Sequence, residues 1–404
     1  MGEKMKVCGV ICEFNPFHNG HKHLIDELRQ AGAGLIVCLM SGSFVQRGEP
    51  AIADKFSRAA CAVAGGADVV LELPFPYCMA SAEFFARAGV DILDRLGVDM
   101  LGFGCESGDA ESLRRAAKVL LAPDFSEQYR KLCRAGRGSA GAFFEVYRSL
   151  AGEELSDAPN NILAVNYVKE LMRRKSNAEV AVIRRSGCGY NETSVRQGQY
   201  PSALALRKII QKSANDGRDG VGKIADLVPP ETINILSRAE KQGTFASRIE
   251  NIQHDIITYL RISDCDFLMA AADADDGLAA RLCAAAREAG DYAGLVCAAS
   301  AANYTDARVR RAVINMMLGI TPDDLRREAA YVQLLAANVH GREWLSARRN
   351  SGGVEIVTKP ADAAGVQGGE RQWMLSQRSE ALWCMTLPRV LPAAYLTRNH
   401  PVFL

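Results

Sequence analysis

The stretch Val10–Leu24, VICEFNPFHNGHKHL, decides how the amino-terminal part of this chain folds. It begins within an apolar run, Lys6–Cys12, that is typical of a short buried β-strand. It ends within Lys22–Ala31, where the apolar residues recur at helical spacing. The polar residues between them are therefore predicted to form a βα loop. In an open α/β sheet, ligands bind outside the carboxyl ends of the strands, where such a loop lies.

Three residues of this loop, His18, Gly20 and His21, suit a phosphate group. The start of a helix offers free backbone N–H groups and a partial positive charge to an anion. Gly20 lets a phosphate come close to the backbone. His18 and His21 are three positions apart, so both imidazoles can face one ligand and donate hydrogen bonds as charge builds at an α-phosphorus. The chain has no Walker A or G-x-G-x-x-G sequence that would compete for this role.

Other functions of the histidine pair have to be weighed against catalysis. An H-x-x-H pair is often made of surface or capping residues. With His23 it could also belong to a metal cluster, although Glu13 is the one nearby Cys or carboxylate at metal-ligand spacing. The position directly after the first strand favours catalysis. We therefore predict that His18 and His21 are catalytic and that the protein has no metal site of its own.

The alternation of strand and helix continues along the chain. Further strands are predicted at Gly34–Met40, Ala67–Leu73, Met100–Cys105 and, as a candidate, Glu179–Arg184, with helices at Asp54–Ala64 and Ser81–Leu93. Such alternation implies parallel βαβ units with right-handed crossovers. The predicted fold is therefore α/β, an open doubly wound parallel sheet.

Polar loops follow several of these strands at the same edge of the sheet. Ser41–Pro50 (SGSFVQRGEP) follows the second strand, Phe103–Glu106 ends the fourth, and Arg184-Arg185 ends the candidate fifth. Gly104 could admit an adenine or ribose close to the backbone. An ordinary loop is the simpler interpretation of each one alone. Their convergence at one edge favours a shared site.

The composition changes beyond Arg207. Ser213–Lys223 (SANDGRDGVGK) is polar and Gly-rich, which suggests a boundary. The rest is Ala-rich and mostly helical, as in Gly277–Gly290 and Asn303–Leu318, with a second Gly-rich stretch at Asn350–Glu370. We predict an ATP-binding α/β domain over residues 1–215 and a mainly helical domain over residues 216–404.

Composition narrows the class of protein. Lys and Arg total 48 against 47 Asp and Glu, so RNA contact would need a local basic patch. The sequence has no run of about 20 apolar residues and no signal peptide, so we expect a cytoplasmic protein without membrane contact. The twelve cysteines include no C-x-x-C pair, which favours buried thiols over disulfides or a zinc site.

Six segments follow one another in a distinctive order. They are ICEFNPFHNGH, SGSFVQRGEPAIADKFSRA, GADVVLELPF, FGCESGD, PNNILAVNYV and SALALRK. Together they resemble the bacterial tRNA(Met) cytidine acetate ligases, which belong to the HIGH-type nucleotidylyltransferase superfamily. The superfamily signature H-x-G-H corresponds to His18–His21 here. The resemblance is dense over residues 6–109 and 157–209 and thinner through the helical part.

The resemblance implies an ATP-dependent ligase. Acetate would attack the α-phosphate of ATP, with Mg²⁺ accompanying the nucleotide, to give acetyl-adenylate and pyrophosphate. The N4 amine of the wobble cytidine in elongator tRNA(Met) would then attack the acetyl carbonyl and release AMP. Neither step needs a Cys or Ser nucleophile, because positioning and stabilisation of negative charge suffice. No protein partner can be inferred.

The resemblance also implies which residues bind the nucleotide. They are Ile11, Cys12, Glu13, Phe14, Asn15, Pro16, Phe17, His18, Asn19, Gly20, His21, Lys22, His23, Leu24, Gly104, Asn160, Arg185, Ser202 and Arg207. Asn160 would hydrogen-bond the nucleotide, and Arg185 would neutralise phosphate or orient the acetyl-adenylate. The second phosphate motif of the superfamily usually carries a threonine where this chain has Leu204. We expect altered affinity, not lost activity, from this departure.

We expect the helical domain over residues 216–404 to bind tRNA, and direct contact with RNA would fall to clusters of basic residues. The candidates are Arg130, Lys131, Arg134 and Arg137; Arg173, Arg174 and Lys175; Arg308, Arg310 and Arg311; and Arg348 and Arg349. A solvated helix face is the simpler interpretation of each cluster. Among them we prefer Arg308, Arg310 and Arg311. Trp344 and Trp373 could stack on bases, although core packing is the simpler interpretation.

Two other functions remain open from the residues themselves. One is a small-molecule adenylyl- or cytidylyltransferase, which would not need the long helical region after residue 215. The other is a non-catalytic RNA-binding protein on the same fold. Intact His18, Gly20 and His21 argue against it, and Leu204 argues weakly for it.

Overall fold

The computed structural model describes residues 5–107, 109–185, 200–216, 218–348 and 352–404. The β-strands are β1 (Val7–Cys12), β2 (Leu35–Ser41), β3 (Phe44–Val45), β4 (Glu49–Pro50), β5 (Val69–Leu73), β6 (Met100–Cys105), β7 (Glu179–Arg184), β8 (Tyr331–Ala337), β9 (Glu355–Val357) and β10 (Val402–Phe403). The α-helices are α1 (Asn19–Gln30), α2 (Lys55–Ala64), α3 (Ala82–Arg95), α4 (Ala110–Leu121), α5 (Pro123–Arg134), α6 (Ser139–Ala151), α7 (Pro159–Arg174), α8 (Ala203–Asn215), α9 (Pro230–Gln242), α10 (Gln253–Ile262), α11 (Cys265–Met269), α12 (Asp276–Glu288), α13 (Tyr292–Ala299), α14 (Asp306–Leu318), α15 (Pro322–Arg326), α16 (Val339–Ala347) and α17 (Glu370–Met385).

The central sheet has the strand order β10-β8-β5-β2-β1-β6-β7. β1 pairs in parallel with both β2 and β6, and β7 continues the parallel ladder beyond β6. Every residue of β2 is buried, as expected for a parallel strand covered on both faces. The predicted doubly wound α/β fold is confirmed, and the candidate strand Glu179–Arg184 is β7. The strand order reverses between β1 and β6, which is where such sheets bind ligands.

Three strands at one side of the sheet, β8, β9 and β10, run against the others. β8 pairs antiparallel with β5, and β9 and β10 pair in parallel with β8. The sequence did not predict β8, because a short apolar run such as YVQLLAA is equally consistent with a buried helix. The sheet is thus mixed, though mostly parallel, and takes strands from both sides of residue 215. The division into functional domains at that residue remains a prediction.

A buried charge cluster fastens β8 and α17 to the amino-terminal half of the chain. The ammonium group of Lys55, 1% exposed, donates to Glu72 at 2.7 Å, to Gln333 at 2.9 Å and to Glu380 at 2.5 Å. Burial alone would lower the pKa of Lys55, but the two carboxylates raise it overall. Removing one partner would leave an uncompensated charge in the core, which is strongly destabilising. The carboxyl-terminal elements are therefore part of the sheet's core.

The eleven cysteines within the described residues are free thiols, in line with the prediction from their spacing. Six of the eleven are buried, among them Cys8, Cys38 and Cys61 in the core of the sheet. Four more are half-buried, and Cys297 is exposed. None of the helices in the described part of the chain combines the length and the apolar character needed to cross a bilayer.

Candidate nucleotide-binding site

A cavity of about 290 Å³ opens beside the carboxyl ends of β1 and β6. Its volume lies near the lower end of the range for small-molecule sites. The predicted convergence of loops occurs there: Gln46 and Arg47 come from the loop after β2, Gly104 from β6 and Arg185 from the end of β7. The amino-terminal ends of α7 and α8 complete the wall.

Most of the residues predicted for the nucleotide site line this cavity. They are Ile11, Cys12, Glu13, Phe14, Asn15, His18, His21, Leu24, Gly104, Asn160, Arg185, Ser202 and Arg207. Leu204, at the departure from the threonine motif, lines it as well. Lining residues that the sequence did not single out include Phe85, Pro159 and Tyr167, which are apolar or aromatic and belong to helices.

The other predicted residues lie outside the lining of the cavity. Phe17 is buried, with its ring 5.0 Å from that of Phe14, and Pro16 is also buried. Asn19 donates to the carbonyl of Asp226, and Lys22 forms an ion pair with Asp26. Gly20 and His23 line a neighbouring pocket of about 40 Å³. Their contact with a nucleotide remains a prediction.

His18 and His21 hold each other in place at the start of α1. Nδ1 of His18 accepts from the Gly20 N–H at 3.0 Å, and Nδ1 of His21 accepts from the His18 N–H at 3.3 Å. This is a reciprocal capping box, with the two rings stacked 3.8 Å apart. Because each Nδ1 accepts a hydrogen bond, the neutral rings carry their proton on Nε2. The Nε2–H groups are left to donate to a ligand.

Gly20 is required by the ring of His18. A Cβ atom at Gly20 would lie 2.9 Å from Cε1 of His18, closer than real Cβ contacts occur. It would also approach the Tyr200 side chain at 3.3 Å. The glycine of the H-x-G-H signature thus makes room for the histidine before any phosphate binds.

Both histidines are neutral at physiological pH. Burial, helped by the positive charges of Arg185 and Arg207, lowers the pKa of His18 to about 3. Burial also lowers the pKa of His21, with smaller contributions from His18 and Arg185. The histidines therefore act as neutral hydrogen-bond donors, and the arginines supply the positive charge of the site.

The two arginines of the site are positioned in different ways. Arg207 donates to the carbonyl of Asn15 at 2.9 Å and to the carboxylate of Glu49 at 3.2 Å. The same carboxylate also accepts a hydrogen bond from Arg310 at 2.8 Å. The backbone N–H of Arg185 donates to the carbonyl of Cys105 at 2.9 Å. The Arg185 side chain runs over Gly104, where a Cβ would lie 3.1 Å from its Cγ. Gly104 therefore accommodates this arginine.

Arg58 organises the floor of the site, a role that sequence reasoning missed. Its side chain is fully buried and donates to the carbonyls of Glu13 at 2.7 Å, Ser41 at 3.0 Å and Ala53 at 3.0 Å, and also to that of Gly42. These bonds tie the loop after β1 to the loop after β2. Backbone carbonyls of distant loops leave no pattern in the sequence that would identify their donor.

Asn161 has a matching role at the end of β6. Its side-chain oxygen accepts from the backbone N–H groups of Glu106 at 3.0 Å and Ser107 at 3.1 Å. Its neighbour Asn160, which lines the cavity, donates to the Glu106 carboxylate. Residues of the PNN segment therefore fix the loop that follows Gly104 and the end of β6. The role of Asn161 was missed because the PNN segment was used to predict a contact for Asn160 alone.

Glu13 brings a carboxylate into the cavity. Its Oε1 accepts from the Gln46 N–H at 2.9 Å, and burial raises its pKa against the lowering effect of that bond and of Arg207 and Arg47. Within the described ranges, no three His, Cys, Asp or Glu side chains are grouped so that they could hold a metal ion.

The preferred basic cluster is occupied by ion pairs. Arg308 pairs with Asp275 at 2.7 Å, Arg310 with Glu49 at 2.8 Å, and Arg311 with Asp273 at 2.8 Å. Arg173 and Arg174 also pair with carboxylates, and Arg137 pairs with Glu145 at 3.1 Å. The following members are exposed on α5 with no ion pair among the described residues: Arg130, Lys131 and Arg134.

The remaining candidates for RNA contact include residues of the carboxyl-terminal third. The guanidinium of Arg348 lies 5.1 Å from the centre of the Trp344 ring, and Trp373 packs on a small apolar cluster. Arg349 lies outside the described residues. Contact of any of these clusters with RNA remains a prediction.

The chain is similar to known proteins over nearly its whole length. The HIGH Nucleotidyl Transferase family model matches residues 5–394. The tRNA(Met) cytidine acetate ligase of Syntrophotalea carbinolica is 35% identical over 366 residues, which cover 88% of this chain and 85% of the relative. The enzyme of the same name from Acetivibrio thermocellus is 34% identical over 375 residues, or 89% of each chain.

Solved structures agree with this relationship. Apo TmcAL of Thermotoga maritima matches with a TM-score of 0.91 at 29% identity, covering 99% of this chain and 100% of that one. The same protein bound with α-thio ATP matches with a TM-score of 0.89 at 28% identity, over the same shares of the two chains. The chain therefore belongs to the HIGH nucleotidyl transferase family and, within it, to the tRNA(Met) cytidine acetate ligases.

Proposed function

We propose that this protein activates acetate with ATP and transfers the acetyl group to N4 of the wobble cytidine of elongator tRNA(Met), forming N4-acetylcytidine. The observation that carries the proposal is the reciprocal capping of His18 and His21, which leaves two neutral Nε2–H donors beside Arg185 and Arg207. Support also comes from the relatives that carry this enzyme's name and from the Thermotoga maritima structure bound with α-thio ATP.

The first step forms acetyl-adenylate. A carboxylate oxygen of acetate bonds to the α-phosphorus of ATP, the bond from that phosphorus to the bridging oxygen breaks, and pyrophosphate leaves. The Nε2–H groups of His18 and His21 would donate to the phosphate oxygens as their charge rises. Because the capping bonds fix both rings before the substrate arrives, little reorganisation is needed.

The second step transfers the acetyl group. The cytidine N4 bonds to the acetyl carbonyl carbon, the bond from that carbon to the AMP oxygen breaks, and N4 loses a proton. Glu13 is a suitable acceptor for this proton, since it lines the cavity and burial brings its pKa closer to neutral. No covalent intermediate with the protein is required.

Mg²⁺ would accompany ATP as part of the substrate. Since the described residues offer no ready-made group of three acidic, His or Cys ligands, phosphate oxygens and water would supply most of its coordination. Mg²⁺ in nucleotide enzymes commonly binds in this way, because it keeps several waters and prefers substrate phosphates.

The test is direct. The full-length protein is incubated with ATP, Mg²⁺, labelled acetate and total tRNA, and the RNA nucleosides are then separated. We expect label in N4-acetylcytidine from tRNA(Met), with one AMP formed for each acetyl group transferred. Reactions without ATP are the control. Acetate-dependent AMP formation with no label in RNA would contradict the transfer step and point to a small-molecule transferase.

A further inference from the structure

A second, larger cleft adjoins the nucleotide cavity. Its volume is about 940 Å³, and its walls come from the start of α3, the α5–α6 hairpin, α7 and the start of α14. Ala82 and Ile162 line both the cleft and the cavity, so the two spaces are neighbours across these side chains. A polymer whose reacting group enters the cavity could therefore continue into the cleft.

Aromatic rings form one wall of the cleft. Tyr129, Phe143 and Phe144 are only half-buried, and Phe125 packs beneath them. The rings of Phe125 and Tyr129 are nearly parallel, and the rings of Phe143 and Phe144 lie edge to face 5.4 Å apart. Partly exposed aromatic rings beside an open cleft are the surface on which unpaired nucleobases stack.

Groups that suit phosphate lie around these rings. Arg130 stands at the rim, and its Nε donates to the carbonyl of Ser126, with no ion pair in the described part of the chain. The helices α3 and α6 begin at the cleft, and the residue that precedes each helix, Ser81 or Gly138, makes no side-chain capping hydrogen bond. Their free N–H groups add a positive potential.

Acidic side chains are present as well, but two of them are neutralised. Lys169 pairs with Glu83 at 2.9 Å, and Arg311 pairs with Asp273 at 2.8 Å. Asp157 also lines the cleft. Arg308 is paired with Asp275, so Arg130, on the α5–α6 side next to the rings, is the lining cation without a carboxylate partner among the described residues.

We propose that this cleft binds the single-stranded nucleotides that flank the reacting cytidine, with bases stacked on Tyr129, Phe143 and Phe144 and a phosphate on Arg130. The inference rests on the proposed function and adds to it the location of the RNA. A double helix would not present unstacked bases to these rings, whereas an RNA loop can. The basic edge of α5 thus takes the role that the sequence had given to the α14 arginines.

Two variants and a matched control test the cleft. Phe144→Leu should raise the KM for tRNA by about 5- to 100-fold, the usual range for losing one stacked base. Arg130→Ala should weaken tRNA binding. It should also reduce the slope of the logarithm of the binding constant against the logarithm of salt concentration by about one, the value for one phosphate contact. Arg115→Ala removes an exposed arginine of the adjoining helix α4 that pairs with Glu111 outside the cleft, so its KM should stay unchanged.

Acetate-dependent exchange of pyrophosphate into ATP, measured without tRNA, separates the two proposals. The cleft variants should keep wild-type exchange, because the first step belongs to the cavity. An unchanged KM for tRNA in both variants, with normal exchange, would overturn the cleft and leave the proposed function standing. Absence of exchange in the wild type would overturn the proposed function.

Crosslinking to the wild-type protein tests the same cleft without any variant that could fail to fold. 4-Thiouridine placed one nucleotide from the reacting cytidine should crosslink, on irradiation, to peptides that contain Tyr129 or Phe143-Phe144. Crosslinks confined to peptides outside the cleft, such as those of α16 or α17, would overturn the assignment.

Discussion

The nucleotide cavity and the aromatic cleft beside it are built in opposite ways. In the cavity, hydrogen bonds to the protein fix the polar side chains in place: the histidines cap α1, Arg207 holds the Asn15 carbonyl, and Arg58 ties two loops together. The cleft has a volume of about 940 Å³, about three times the 290 Å³ of the cavity, and half-buried aromatic rings form one of its walls. Phosphoryl chemistry needs fixed donors, whereas an RNA loop needs room and tolerant contacts.

Arginines show the same contrast. In the cavity, Arg185 and Arg207 line the space that a ligand would enter. At the cleft, Arg308 and Arg311 are turned to Asp275 and Asp273, and Arg308 also donates to the Asp273 carbonyl at 3.0 Å. Asp273 has a φ of 62°, a left-handed conformation that these bonds stabilise. The arginines of α14 therefore support the wall of the cleft, whatever the cleft binds.

The largest expected effect comes from the cavity. Replacing His18 by Asn keeps a good helix cap but removes Nε2, so the rate of acetyl-adenylate formation should fall by about 10²–10³ with little loss of stability. His21→Ala should lose a similar factor. Pyrophosphate exchange and thermal unfolding measure the two properties. His340→Ala, on an exposed histidine of α16, is the control. Wild-type exchange in His18→Asn would show that the histidine only caps the helix.

The next effect concerns the wall of the cleft. Arg311→Ala leaves the Asp273 carboxylate without its main partner, so the free energy of unfolding should fall by about 3 kcal/mol. Denaturant titration measures this change. Arg326→Ala, which breaks an exposed pair with Asp323, should change stability by less than about 0.5 kcal/mol. A stable Arg311→Ala protein with weakened tRNA binding would instead restore α14 as the RNA surface.

A smaller effect should appear on acidification. Because folding lowers the pKa of His18 to about 3, the unfolded chain binds a proton near pH 6.5 that the folded chain does not. The stability that neutral His18 contributes is complete above pH 6.5 and is lost as the pH falls towards 3, by up to about 1.4 kcal/mol per pH unit. His18→Asn should lose less stability between pH 7 and pH 5. Parallel stability curves for the two proteins would contradict the depressed pKa.

The smallest expected effect tests the departure at Leu204. Leu204→Thr places a hydroxyl at the start of α8, on the wall of the cavity, and should lower the KM for ATP by about 2- to 10-fold, the value of one hydrogen bond. Leu204→Val has the same shape without the hydroxyl and is the matched control. Equal KM values for the Thr and Val variants would show that this position does not contact the nucleotide.

The main features of the fold and the position of the site could be predicted from short stretches of the sequence. β6 and β7 have the bounds that their apolar runs predicted, and the H-x-G-H segment lies at the strand end where an α/β sheet binds ligands. Conversely, β8 was missed, because its pairing with β5 depends on burial against residues more than 250 positions away.

The sequence by itself determined the alternation of strand and helix, the place of His18 and His21 at the end of β1, and the family. These depend on neighbours within one or two turns of chain, which periodicity and motif order record. Only the tertiary structure decided that both histidines are neutral donors, because their burial and the charges of Arg185 and Arg207 come from distant segments. It also decided which arginines are paired and which remain at the cleft, since an ion pair depends on distance in space and not along the chain.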